Sequence, residues 1–140
     1  MSIGIEPMGE IREKQVVIPE TMLDMFGHVN NAAYLSLFEQ ARWDIVAPLG
    51  FSVSDIQKNL LGPTILEVKL QFRREVRARE AITIRSYVTN HQGKITHLRQ
   101  VMVKANGEEA CIADFVVALF DLKQRKLIEP TPEWKTALGM

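Results

Sequence analysis

The chain reads as strands almost throughout, with one long change of period. Val16, Val17 and Ile18 close the stretch Ile11–Ile18 and run into Pro19, which predicts a first strand and its end. From Asn31 to about Leu49 the period becomes helical. At ~100° per residue, Asn31, Tyr34, Leu35, Phe38, Arg42, Ile45 and Leu49 fall on one face, and Ser36, Gln40 and Asp44 on the opposite one. Asn30 is placed to cap this helix through its side-chain oxygen, and Pro48 and Gly50 stop it. A second, short helical pattern covers Ser52–Leu61, with Ser54 as its cap and Gly62-Pro63 as its end.

Strand signals return after that. Leu66, Val68, Leu70 and Phe72 alternate with Glu67, Lys69, Gln71 and Arg73, which predicts one covered and one outward face. A charged connection, Arg74–Glu80, leads to a third strand marked by Ile82, Ile84 and Val88. His91–Lys94 reads as a hairpin turn, and Ile95–Lys104 as a fourth strand. Asn106-Gly107 is a two-residue hairpin signal, since both positions tolerate positive φ. Ala110–Leu122 is a fifth strand, apolar on both faces except at Asp114, as a central strand is. The tail carries Pro130 and Pro132 and predicts a short helix around Glu133–Leu138; residues 1–9 read as a loose lead-in. The expected fold is α+β and one domain over residues 1–140, a five-stranded antiparallel sheet wrapped around one long helix.

Charge narrows the function classes. Lys plus Arg equals Asp plus Glu at 17 each, so no long-range field pulls the chain to nucleic acid or an anionic membrane, although a local basic patch for a small anion stays open. No apolar run approaches the ~20 residues of a membrane span, and Met1–Glu10 lacks a signal pattern. Cys111 is the single cysteine; it excludes an intrachain disulfide and reads as a buried core residue rather than a nucleophile. A cytoplasmic setting is expected. His28, His91 and His97 lack ligand spacing, so neither a metal nor another cofactor is expected.

The chemistry concentrates in Asp24-Met25-Phe26-Gly27-His28-Val29-Asn30-Asn31-Ala32-Ala33-Tyr34. A carboxylate, an imidazole, two amides and a phenol sit where a turn meets the long helix. The Asn31 amide lies in the first helical turn and has no i−4 partner, so the helix start offers a free donor and a partial positive charge. Each side chain keeps an ordinary reading: Asp24 as turn former or second cap, His28 as a turn-shaping donor, Asn30 as the cap, Tyr34 as core or pocket wall. Glu39 reads as an i,i+3 ion pair with Arg42. Arg42, on the apolar face, needs a partner, drawn from Glu39, Asp24 or a second copy.

Asp24, Gly27, His28, Val29, Asn30, Asn31 and Tyr34, followed by Phe38, Glu39, Ala41 and Arg42, match the pattern Asp-x-x-Gly-His-Val-Asn-Asn-x-x-Tyr and Phe-Glu-x-Ala-Arg. In this the chain resembles the hotdog fold, specifically the 4-hydroxybenzoyl-CoA thioesterase-like acyl-CoA thioesterases, and the likeness runs as a strand pattern to about Phe120. It departs in two places. Met22 stands where many relatives have the first Asp of Asp-Thr-Asp. Phe26 stands where the plant acyl-carrier-protein enzymes have Asn, so their His/Asn chemistry does not carry over.

The resemblance implies that Asp24 is base or nucleophile and that the Asn31 backbone amide polarises the thioester carbonyl. It leaves His28 between a turn-shaping role and substrate binding or water positioning. It brings in Glu39 as an alternative carboxylate, because another hotdog branch places its catalytic Glu eight residues after the oxyanion amide. Gly27, Asn30 and Tyr34 would contact substrate, and Lys94 occupies a basic position used for CoA. Arg73, Arg74, Arg77 and Arg79 form a second basic cluster at a strand end. The pocket would lie between two protomers, which implies a homodimer or homotetramer acting on an acyl-CoA. A non-catalytic acyl-CoA-binding module and an acyl-carrier-protein thioesterase are the competing readings, and the Asp/His motif of hotdog dehydratases is missing.

Overall fold

The computed structural model describes residues 6–140; residues 1–5 of the expected lead-in fall outside the described residues. Six strands build one antiparallel sheet: β1 (Arg12–Val17), β2 (Leu61–Phe72), β3 (Ala81–Gln92), β4 (Ile95–Lys104), β5 (Glu109–Asp121) and β6 (Lys126–Ile128). The order across the sheet is β1-β3-β4-β5-β2, with β6 pairing Leu119–Asp121 of β5. Among the described residues there are also three α-helices, α1 (Asn31–Val46), α2 (Val53–Asn59) and α3 (Pro132–Ala137), and two single-turn 3-10 helices, Glu20–Met22 and Ala47–Leu49. The curled sheet wraps α1, as a hotdog fold does. Phe38, fully buried on α1, packs in one cluster with Ile84, Val88, Leu98, Met102 and Phe115 of β3, β4 and β5.

Several expected boundaries shift for local reasons. The α2 cap is Ser52, not Ser54: its hydroxyl accepts from Asp55 N–H at 3.1 Å while Asp55 reaches back to the Ser52 amide at 3.1 Å, a reciprocal capping box. Gly62 and Pro63 do not end this helix. Leu60 ends it in the left-handed region at φ 54°, and Gly62-Pro63 already belong to β2. Pro63 is tolerated there because β2 is an edge strand. In the β4–β5 turn only Gly107 takes positive φ, at 89°, so Asn106 is not the first half of a mirror-image turn. β6 was not expected; three residues between charged neighbours carry no strand signal of their own.

The buried face of α1 is also rotated from the expected one. Tyr34, Leu37, Phe38, Ala41 and Val46 are buried, whereas Leu35 and Leu49 are exposed. Apolar residues surround this helix almost completely, so periodicity does not select a face and the sheet does. Likewise β2 is not covered on one face. Ile65, Leu66, Val68 and Phe72 are each more than 40 % exposed, and Leu66 falls at a register shift that bulges the strand.

Trp134 of α3 stacks edge-on against Phe51 at 4.8 Å and closes the far end of the helix, beside Val46 and Leu119. On the convex side, Arg99 holds Asp114 in a bidentate pair at 2.7 and 2.9 Å, which raises the Arg99 pKa. Cys111 is fully buried, and burial pushes its thiol up to about 12, so it is a core residue rather than a nucleophile.

Candidate active site

The turn before α1 is held by its own first residue. One carboxylate oxygen of Asp24, Oδ1, accepts from the Phe26 amide at 2.9 Å and the His28 amide at 3.4 Å. The Asp24 amide donates to the His28 carbonyl at 2.8 Å, and Gly27 N–H returns to the Asp24 carbonyl at 3.1 Å. Gly27 meets the geometry at φ 79°, a region that a side chain makes strained. The second oxygen, Oδ2, has no hydrogen-bond partner among the described residues. Asp24 is therefore both the turn former of its ordinary reading and a carboxylate with one free face.

Two strand-like contacts fasten this turn to the charged connection after β2. Val29 N–H donates to the Val76 carbonyl at 2.8 Å, and His28 and Arg77 form an isolated bridge. The link brings Glu75 to His28, whose Nε2 lies against the Glu75 carboxylate. On the other side, Asn30 N–H is tied to the Met22 carbonyl at 2.8 Å. Asn30 caps α1 as expected, its side-chain oxygen accepting from Ala32 N–H at 2.9 Å. The Asn31 amide is left without a hydrogen bond among the described residues, at the positive end of the helix dipole.

Asp24 and Asn31 line one open cleft of about 520 Å³, together with Tyr34, Phe72, Arg73 and Glu75. Tyr34 is buried and packs edge-on to Phe72 at 5.3 Å. Burial, with lesser help from the Asp24 and Glu75 carboxylates, pushes its phenol up to about 12, so it is a neutral hydrogen-bonding wall at ordinary pH. Arg74, also on the cleft, is held by Glu108 at 2.6 Å. The Arg73 guanidinium donates only to the neutral Gln71, at 2.7 Å, among the described residues, and so keeps its charge available. Arg77 and Arg79 are paired with Glu75 and Glu20.

Two of the expected site residues lie elsewhere in the chain. Glu39 is exposed, roughly 12 Å along the helix axis from Asn31, and lines a different cavity beside Arg42. Lys94 follows Gly93 in the β3–β4 turn. The cleft is level with Phe72, whose neighbours across the sheet are Cys111 and Met102. Seven residues of β4 separate Met102 from Ile95, about 23 Å of strand. Arg42 forms no ion pair with Glu39 or Asp24 among the described residues: Nη1 donates to Gln100 Oε1 at 2.9 Å, and the guanidinium lies 4.4 Å over the Phe115 ring.

Sequence reasoning missed Glu75 and Phe72 as site residues. Both precede or lie in a charged connection that looks like any solvated strand end. The antiparallel bridge to His28 places Glu75, and the pairing of β2 with β5 places Phe72.

The family model of the thioesterase-like superfamily matches residues 18–138. Among curated proteins, the long-chain acyl-CoA thioesterase FadM of Escherichia coli is 28% identical over 121 residues, covering 83% of this chain and 88% of FadM. Among solved structures, the SAV2348 protein of Staphylococcus aureus, in complex with CoA, superposes with a TM-score of 0.84 at 16% identity, covering 92% and 82% of the two chains. Slr0204 of Synechocystis, a 1,4-dihydroxy-2-naphthoyl-CoA thioesterase, superposes at 0.82 and 13% identity, covering 92% and 96%. The last two show the shared fold. Among the described residues no helix is long and apolar enough to cross a membrane.

Proposed function

The chain belongs to the thioesterase-like superfamily and is by that membership a thioester hydrolase; from this premise we propose that it cleaves an acyl-CoA at the Asp24–Asn31 cleft. The observation that carries the reading is the shared cleft itself: a carboxylate with one unengaged oxygen and an unbonded helix-start amide border the same space. The Asn31 N–H donates to the carbonyl oxygen as negative charge builds on it, and the helix dipole adds to the effect. Asp24 Oδ2 takes the proton of the attacking water, the C–S bond breaks and the proton passes to the departing CoA thiolate; attacking directly, Asp24 instead expels the thiolate and forms an acyl anhydride that water then hydrolyses, and Oδ1 stays anchored to the turn amides on either route. His28, oriented by Glu75, contacts substrate beside the thioester, and Gly27 and Asn30 shape the backbone there. Tyr34 and Phe72 wall the acyl group. Arg73 and Arg74 supply cations for the CoA phosphates.

The active unit is a dimer paired along β2. Support comes from the unpaired edge and its exposed Ile65, Leu66, Val68 and Phe72, a combination that soluble proteins rarely leave open. Lys94 contributes to CoA binding across that pair, and the setting is the cytoplasm.

The test is free-thiol release from a panel of aliphatic and aromatic acyl-CoAs. Asp24→Asn keeps an oxygen for the Phe26 and His28 amides and removes only the charge. It is expected to lose about 10²–10⁴ in kcat with a stability change of about 1 kcal/mol. Full turnover in Asp24→Asn, with activity abolished in Glu39→Gln, would transfer the role to Glu39. Tight binding of acyl-CoA without thiol release would make the chain a binding module, and release only from acyl-carrier-protein thioesters would change the carrier.

A further inference from the structure

A second cavity lies at the other end of α1, away from the cleft just described. It encloses about 150 Å³ between α1, α3 and the concave sheet. That is the volume which, in an engineered apolar cavity of another protein, takes up one benzene. Its walls are chiefly apolar: Trp43, Val46, Leu98, Val117 and Trp134 among them. Three charged groups border it. Arg12 is satisfied, by Glu10 at 3.0 Å and by the carbonyls of Thr136 and Ala137 at 3.0 and 3.1 Å. Glu39 is exposed at the α1 surface and forms no ion pair among the described residues.

Arg42 is the exception. Its Nη1 reaches the neutral Gln100, which is itself occupied by the Phe38 carbonyl at 3.1 Å and the Ser86 hydroxyl at 2.9 Å. Nε and Nη2 have no partner among the described residues. Glu39, which forms no ion pair with it, offsets only part of the cost of holding this guanidinium mostly out of water, and desolvation, the larger effect, lowers its pKa. The same wall holds a second unanswered donor: Trp134 is 3 % exposed and its Nε1–H has no hydrogen-bond partner. A lining short of acceptors, beside a volume that fits one ring, suits a ligand that brings an anionic acceptor on an apolar body.

We propose that this cavity binds a small apolar monocarboxylic acid, single-ringed or of similar bulk, with its carboxylate on the free edge of Arg42 and its body between Trp43 and Trp134. Arg42 lies eleven residues beyond Asn31, roughly 16 Å along the helix, so the site is separate from the cleft within the protomer. Such an acid is the class of molecule that thioester hydrolysis releases; that link alone rests on the proposed function.

The chain has two tryptophans, and both line this cavity. Intrinsic fluorescence therefore reports on it directly. The probe is benzoate, titrated into the full-length protein without any thioester present. A saturable change is expected with benzoate, at least about tenfold weaker binding with benzyl alcohol, which lacks the charge, and no saturable change with acetate, which lacks the body. Arg42→Met keeps the stem and removes the cation, and it is expected to bind benzoate at least about tenfold more weakly, while Arg42→Lys retains part of the affinity. Asp24→Asn is expected to bind benzoate as the parent does, which separates this site from hydrolysis. Circular dichroism and melting check that each variant folds; should Arg42→Met fail to fold, the acid-against-alcohol comparison and Arg42→Lys still decide. Equal binding of benzoate and benzyl alcohol, undiminished binding in a folded Arg42→Met, or no saturable response to benzoate at millimolar concentrations each overturns the proposal.

Discussion

Replacing Asn31 by proline removes one hydrogen atom of interest and little else. Proline is well accepted at the first position of a helix, where its missing N–H has no intrahelical partner. The preceding residue must then be extended, and Asn30 already is, at φ −63° and ψ 142°. The Asn31 amide makes no hydrogen bond among the described residues, so the fold loses no bond, and the Asn31 side chain is exposed. Stability is thus expected to hold or to rise by about 0.4–1 kcal/mol, because the unfolded chain has fewer states to lose. If that amide meets the developing oxyanion, its removal raises the barrier by about 2.7–4 kcal/mol, a drop of roughly 10²–10³ in kcat. The control is Asn31→Ala, which trims the side chain and keeps the N–H. Steady-state thiol release on one acyl-CoA, with melting of all three proteins, gives the comparison. A proline variant that melts with the parent and turns over like the alanine variant would refute the assignment outright.

Other expectations follow from particular contacts. Tyr34 has its pKa raised in the folded protein from 10 to about 12; a raised value means stability is fully present below pH 10 and lost as pH climbs toward 12. Cys111 adds to the same alkaline decline. Tyr34→Phe is therefore expected to flatten the fall in melting temperature across that window, and an unchanged slope would mean the phenol is not the titrating group. Asp114→Ala leaves Arg99, 8 % exposed, without its bidentate partner. Because Asp114 is about a third exposed, the expected loss is near 2 kcal/mol rather than a full buried-pair penalty, measured by urea unfolding. Val68→Arg places a cation on the open β2 edge; sedimentation is expected to show a monomer with much reduced turnover, and an intact active dimer would place the contact elsewhere.

The start of α1 and its cap were legible in the chain because both depend on neighbours within four residues; its end was not, since α1 stops at Val46 and Ala47–Leu49 tightens into a 3-10 turn. The Asn30 side chain reaches Ala32, and Gly27 permits the turn, whatever surrounds them. The turn's candidates for chemistry were legible for the same reason: Asp24 and Asn31 are seven residues apart, and a tight turn with a helix start leaves them few places to go. The α2 cap went to Ser52 because Asp55, three residues on, returns the hydrogen bond, and Ser54 has no such reply.

Contacts between distant segments were settled by tertiary packing alone. Which side of α1 is buried depended on where the sheet curls, since apolar side chains surround the helix. Arg42 meets Gln100, fifty-eight residues away, and Glu75 meets His28 only because the connection after β2 bridges back to the turn. Local sequence carries hydrogen bonds that close over a few residues; the partner of a buried charge and the walls of a cleft are selected by strand register, which no short stretch of this chain encodes by itself.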